Sequence, residues 1–184
     1  MFDVLIKNYY MKKLIDYLGL FSGKNMNKRR VNIAIDWSEV ISVDCIQNDC
    51  LTSEERSVLN HEKVIYIFIG ENRKGEKAID IGQTSKSLLE RTMEHLQNGD
   101  YLEGYPINQK VYCGKVSAGV LVDRSLLEQI EGIMIQQLMK KSDYHLCNDS
   151  KIKTFTCSYE IDYLSNNNRQ GDLCAILGPM FLVN

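Results

Sequence analysis

Val64-Ile65-Tyr66-Ile67-Phe68-Ile69-Gly70 is an unbroken apolar run and predicts a buried strand. A charged turn containing Gly75 follows, and then a second short run, Ala78-Ile79-Asp80-Ile81-Gly82. Two such runs across a short polar loop with glycine predict a β-hairpin. Ser87 and Glu90 have the S-x-x-E spacing of a capping box, which satisfies two orphan amides at the start of an amphipathic helix. Leu89, Met93 and Leu96 form the expected core stripe of that helix. Arg91 and His95, four apart and hence on one face, point away from it.

The flanks carry weaker patterns. Apolar residues three and four apart between Met1 and Phe21 predict an amphipathic helix that ends near Gly19 or Gly23. It is expected to pack on the main domain or a second copy of the chain; a membrane-surface helix is the alternative. Lys24 to Arg30 reads as a basic loop, Val31 to Ile35 as a short strand ending at Asp36, and Trp37 to Leu59 has no clear period. Downstream, Gly99 to Asn108 reads as a loop and Val111 to Val116 as a third strand. A helix is expected from Asp123 or Ser125 to about Lys141, its basic pair Lys140-Lys141 suiting the negative C-terminal end. Thr154 to Tyr159 is a further short strand, Ser165 to Gly171 with its three asparagines a loop, and the apolar tail from Asp172 is expected to pack on the rest.

Composition narrows the picture. A chain of 184 residues with 44% apolar and 25% charged residues is long enough for one domain with a core. The six cysteines form no C-x-x-C pair and the three histidines no metal-binding spacing, so reduced thiols in a cytoplasmic protein are expected, not a structural zinc. No apolar run reaches the roughly 20 residues that span a bilayer. The charged N-terminal stretch does not read as a signal peptide. Net charge is −2 and the pI about 5.9, which argues against a strongly basic nucleic-acid binder. The charge is uneven, however: residues 1–30 hold seven Lys/Arg against two Asp, and residues 31–60 one Arg against six acids, so a local basic patch remains open.

Four positions stand out chemically. Glu131 falls inside the apolar stripe of Leu127, Ile130, Met134, Ile135 and Leu138. A carboxylate there is either in a structural ion pair or bound to a metal; Glu128, one turn earlier, is the second choice. Arg91 and His95 are a solvated face, or a phosphate-binding face if a metal-bound carboxylate lies opposite, because guanidinium donors fit phosphate oxygens. Tyr66 is a core tyrosine, or a groove residue whose hydroxyl acts on water.

The hairpin and its helix resemble the GIY-YIG nuclease superfamily over roughly Val64 to Asn148. Val64-Ile65-Tyr66 stands at the first motif and Asp80-Ile81-Gly82-Gln83-Thr84 at the second, with Asp80 where the family has tyrosine. Arg91 and His95 stand at the catalytic arginine and the residue four further on, Glu131 at the metal-binding glutamate, and Asn148 at an asparagine that anchors the site. The resemblance implies an α/β (α+β) nuclease domain over residues 61–150, with a small antiparallel sheet of about three strands flanked by helices. Residues 1–60 would be an N-terminal extension and residues 151–184 a C-terminal one packed on the domain. It implies hydrolysis of phosphodiester bonds in nucleic acid, with double-stranded DNA as the expected substrate and Mg²⁺ or Mn²⁺ held by Glu131. Tyr66, with His95, would help deprotonate water, Arg91 would stabilise the charge on the phosphate, and Gln83, Thr84 and Lys86 would lie at the substrate. Two-strand cutting by one site would call for a homodimer or sequential nicking. Asp80 and the acidic pI support an alternative, a catalytically silent module that binds nucleic acid or a protein partner. No G-x-x-x-x-G-K-[ST] loop supports a phosphate-ligand enzyme of another fold.

Overall fold

The computed structural model describes residues 29–99, 102–139, 144–147 and 159–182. The helix expected over Met1–Phe21, the pair Lys140-Lys141, Asn148 and residues 154–158 lie outside the described residues. The core of the fold is the expected hairpin, β3 (Val64–Glu71) and β4 (Lys77–Thr84), paired so that Tyr66 faces Gly82 and Phe68 faces Asp80. β3 is central and covered on both sides, which explains its unbroken apolar run: a strand with two buried faces has no polar face to alternate with. Its odd residues Ile65, Ile67 and Ile69 enter one core layer, and Val64, Tyr66 and Phe68 the other.

The sheet is neither small nor purely antiparallel, contrary to the expectation of about three antiparallel strands. Among the described residues it has eight strands, in the order β6-β4-β3-β5-β1-β7-β8, with β2 pairing β5 beyond the end of β1. The additional members are β1 (Arg29–Trp37), β2 (Ile41–Ser42), β5 (Ile107–Ala118), β6 (His145–Leu146), β7 (Tyr159–Asn167) and β8 (Met180–Leu182). β1 with β7 and β4 with β6 are parallel pairs; the others are antiparallel. The expected five-residue strand at Val31–Ile35 grows to nine residues because Val31, Ile33, Ile35 and Trp37 all enter the core, while Arg29 and Arg30, assigned above to a basic loop, extend its start.

The second cause of the misreading is β7. Its polar end, Ser165-Asn166-Asn167, is strand and not the start of a loop, because tertiary partners satisfy the amides. Buried Trp37 donates its indole N–H to Asn166 Oδ1 at 3.0 Å, and Asn166 Nδ2 donates to the Gly178 carbonyl at 3.1 Å. Asn167 donates to Asp36 at 3.0 Å. Gly114 makes room for the tryptophan: a Cβ there would lie 2.6 Å from Ile35 Cγ2 and 2.8 Å from the Trp37 ring.

Helices cover both faces. α1 (Val43–Gln47) and α2 (Ser53–Leu59) occupy the stretch that has no sequence period; α2 is opened by a complete Thr52/Glu55 capping box. With α3 (Leu88–Asn98) they bury Val43, Ile46, Leu59 and Leu88 against the Tyr66 face. α4 (Arg124–Leu138), capped by Asp123, and α5 (Asp172–Ile176) cover the opposite face. No helix of the described residues is long and apolar enough to cross a membrane.

Replacing Asn166 by leucine should strand the Trp37 indole N–H in the core and cost about 1–3 kcal/mol. A urea midpoint equal to that of the unmodified chain would show that the bond contributes nothing.

Candidate functional site

Antiparallel pairing puts the side chains of Tyr66, Phe68 and Asp80 on one face of the sheet. The Tyr66 ring lies flat across the strand beside it, in the space a side chain at Gly82 would fill: a Cβ there would overlap the hydroxyl and reach 2.6 Å from Cε2. Gly82 therefore supplies the seat of the ring, a role its place in the second motif did not reveal. Asp80, at the motif tyrosine position, is buried on the same face.

α3 closes over this face. Ser87 Oγ accepts from the Glu90 N–H at 3.2 Å, but the reciprocal half of the expected capping box is missing because the Glu90 carboxylate pairs with Lys86 at 3.0 Å. Gly99 ends the helix in the left-handed conformation. The face turned to the core is Leu88, Thr92 and His95, with Leu89 and Leu96 partly buried at its edge and Met93 38% exposed. This overturns the expected stripe of Leu89, Met93 and Leu96. Polar side chains can line the inner face because each has a partner. Thr92 donates to the Leu88 carbonyl at 2.8 Å, and His95 Nε2 sits 3.0 Å from the Tyr66 hydroxyl. The His95 ring also meets Phe68 edge-on, with centroids 5.8 Å apart.

Arg91 completes the cluster. Its Nε donates to the Tyr66 hydroxyl at 3.3 Å, and Nη1 lies 3.2 Å from Glu94 Oε2. A guanidinium can only donate, so the phenol oxygen accepts from Arg91, and the direction of its bond to His95 Nε2 follows the imidazole tautomer. Tyr66 is only 2% exposed, and burial pushes its pKa up. Arg91 opposes that rise, whereas the charges of Asp80 and Glu131 add to it. At neutral pH the side chain is a phenol. The charge of Glu131, half-buried on α4, is the smallest of these contributions.

The structure thus gathers Tyr66, Arg91 and His95 by direct contact and puts Asp80 on the same face of the sheet, whereas Glu131, on the helix over the opposite face, acts on the phenol only through its charge. It gives the remaining candidates other surroundings. The Thr84 hydroxyl is buried and accepts from the Lys86 N–H at 3.0 Å, closing the turn into α3. Gln83 alternates to the opposite side of β4 from Gly82, and its buried Oε1 has no partner among the described residues. Lys86 is exposed and held by Glu90 and Glu94. Asn148 lies outside the described residues. Glu94, not singled out above, touches both Lys86 and Arg91; its i,i+3 spacing from Arg91 is the signal that could have found it.

Two further features bear on chemistry. Among the described residues no group of three or more His, Cys, Asp or Glu is arranged to hold a metal. Glu131, a half-buried carboxylate, is an oxygen donor of the kind a hard, largely hydrated divalent cation takes, not the nitrogen and sulfur set that zinc favours. A separate depression of roughly 660 Å³ lies at the turn end of the hairpin, lined by Lys77, Tyr105, Tyr144 and His145 among others. Five residue steps of about 3.4 Å separate that end from Tyr66. No protein-family model, no curated protein and no solved structure matches the chain.

Two outcomes check the cluster. Gly82→Ala should push the Tyr66 ring from its seat and cost about 1–3 kcal/mol, read from the urea midpoint. A folded-state pKa above the ordinary phenol value of about 10 means the folded chain holds this proton more tightly than the unfolded one. Stability is therefore full below about pH 10 and falls as pH rises above it. Tyr66→Phe should lessen that alkaline loss, and an unchanged pH profile in the variant would contradict the buried phenol.

Proposed function

We propose that the chain is an endonuclease of the GIY-YIG type that hydrolyses phosphodiester bonds of nucleic acid, with double-stranded DNA as the substrate. The observation that carries this reading is the contact of Arg91 and His95 with one tyrosine hydroxyl, which the charge of Glu131 also reaches. Arg91 is half-buried and already oriented by Tyr66, so its remaining donors can meet a phosphate without first losing much freedom. In the transition state they stabilise the added negative charge.

A phenol that keeps its proton is not itself the base. It can pass a proton on: the attacking water gives one to the tyrosine oxygen as the tyrosine gives its own to His95 Nε2, 3.0 Å away. The imidazole is then the acceptor, and Arg91 steadies the oxygen between. Glu131 would hold Mg²⁺ or Mn²⁺, which as a Lewis acid offsets charge at the leaving oxygen.

A second reading is a module that binds nucleic acid or a protein partner without cutting. The near-complete burial of Tyr66 and the carboxylate at Asp80 favour it, because water must reach the phenol oxygen for the relay to run.

Cleavage of plasmid and single-stranded substrates with Mg²⁺ or Mn²⁺ separates the two. Arg91→Ala should lower the cleavage rate by about 10²–10³, Arg91→Lys should restore little because a point charge lacks the fork, and Glu131→Ala should remove the dependence on metal along with the activity. Turnover near that of the unmodified chain in both alanine variants would sink the nuclease assignment. Tight, metal-independent binding without cutting would establish the second reading.

A further inference from the structure

The cations beside the Tyr66 cluster are each already paired with a carboxylate. Lys86 Nζ lies 2.6 Å from Glu94 Oε1 and 3.0 Å from Glu90 Oε1, and Arg91 Nη1 lies 3.2 Å from Glu94 Oε2. The two oxygens of one carboxylate therefore bridge the two cations, one on each. Two positive charges face two negative ones, so this patch is neutral. Neutralisation of this kind is unexpected at the entrance of a site meant for a polyanion, where uncompensated Lys and Arg supply most of the affinity.

We propose that Glu94 is a built-in stand-in for the substrate phosphate, occupying Lys86 and Arg91 in the free protein and leaving them when a backbone phosphate arrives. The proposal rests on the nuclease reading and adds a residue that sets how strongly, and how selectively, the site takes nucleic acid. A phosphate presents two oxygens at a spacing close to that of a carboxylate and carries more acceptor capacity, so it can bridge the same pair of donors. While Glu94 is in place it holds the outer nitrogen of the guanidinium as Tyr66 holds Nε, so the fork keeps one orientation before and after the exchange. Lys86 and Glu94 are both substantially exposed, with side-chain exposures of 52% and 34%, so the pairs are weak enough to be displaced. The exchange also explains how an acidic chain can bind a polyanion: binding exposes positive charge that the resting surface conceals. Single phosphates compete poorly with a carboxylate tethered to the same helix, whereas a polymer brings many phosphates at once.

The test is binding of a short labelled duplex without divalent metal, to prevent cutting, over a range of salt. Glu94→Gln keeps the shape and removes the charge. It should tighten binding about five- to tenfold at low salt and steepen the slope of log affinity against log salt by about one, as expected when an additional cation meets phosphate. Glu90→Gln, which removes one of the two carboxylates on Lys86 and leaves Glu94 on both cations, should give a smaller gain. Glu160→Gln, four strands away on β7 where it pairs with Arg30, should give none. With metal, Glu94→Gln should lower KM for cleavage without raising kcat. A duplex bound by the unmodified chain and bound no tighter by Glu94→Gln would overturn the role of Glu94 while leaving the nuclease reading intact. An equal gain in Glu160→Gln would reduce it to a general charge effect and overturn it equally. Absence of binding and cutting in every variant would overturn the nuclease reading, and the role of Glu94 with it.

Discussion

A tyrosine hydroxyl carried into an apolar layer must find a partner there, or it costs more than its ring contributes. At Tyr66 the requirement is met from one helix, and it sets the register of α3 on the hairpin. The ring can lie flat only because Gly82 leaves the neighbouring strand bare, and it then directs the oxygen at Arg91 and His95. Rotating α3 by one residue would remove both partners. The face that α3 presents to the sheet is therefore chosen by hydrogen bonding as well as by hydrophobicity. This explains why a threonine and a histidine are buried while Met93 is exposed.

The electrostatics of the site follow from the same burial. Low polarity around Tyr66 favours its neutral form, two nearby carboxylates favour it further, and Arg91 opposes them without reversing the balance. The group is a neutral phenol, not a phenolate. Outside that cluster the charges cancel pairwise along α3, so the surface conceals its cations.

Local sequence was informative where an element's character is local. The apolar run of β3, the glycine turn, the Ser87 and Asp123 caps and the Gly99 stop are all where pattern and capping chemistry place them. It was uninformative where polar residues are buried against distant partners. Asn166 belongs to a strand because Trp37, 129 positions earlier, donates to it. The short helices α1 and α2 have too few turns to show a period, although the Thr52/Glu55 box of α2 is written in the chain. Of the candidate site, Arg91 and His95 were legible as a pair four apart, but the pattern turned that pair away from the core, whereas His95 is buried and both residues meet the Tyr66 hydroxyl.

By itself, then, the sequence determined the type and ends of the central elements, because backbone preference, turn chemistry and capping act over a few residues. Only the tertiary structure decided how many strands join the sheet, which side of α3 lies inward, and that Gly82, Asp80 and Glu94 belong with Tyr66. Those outcomes depend on which distant group arrives to satisfy a buried polar atom or fill a space, and no window of neighbouring residues contains that information.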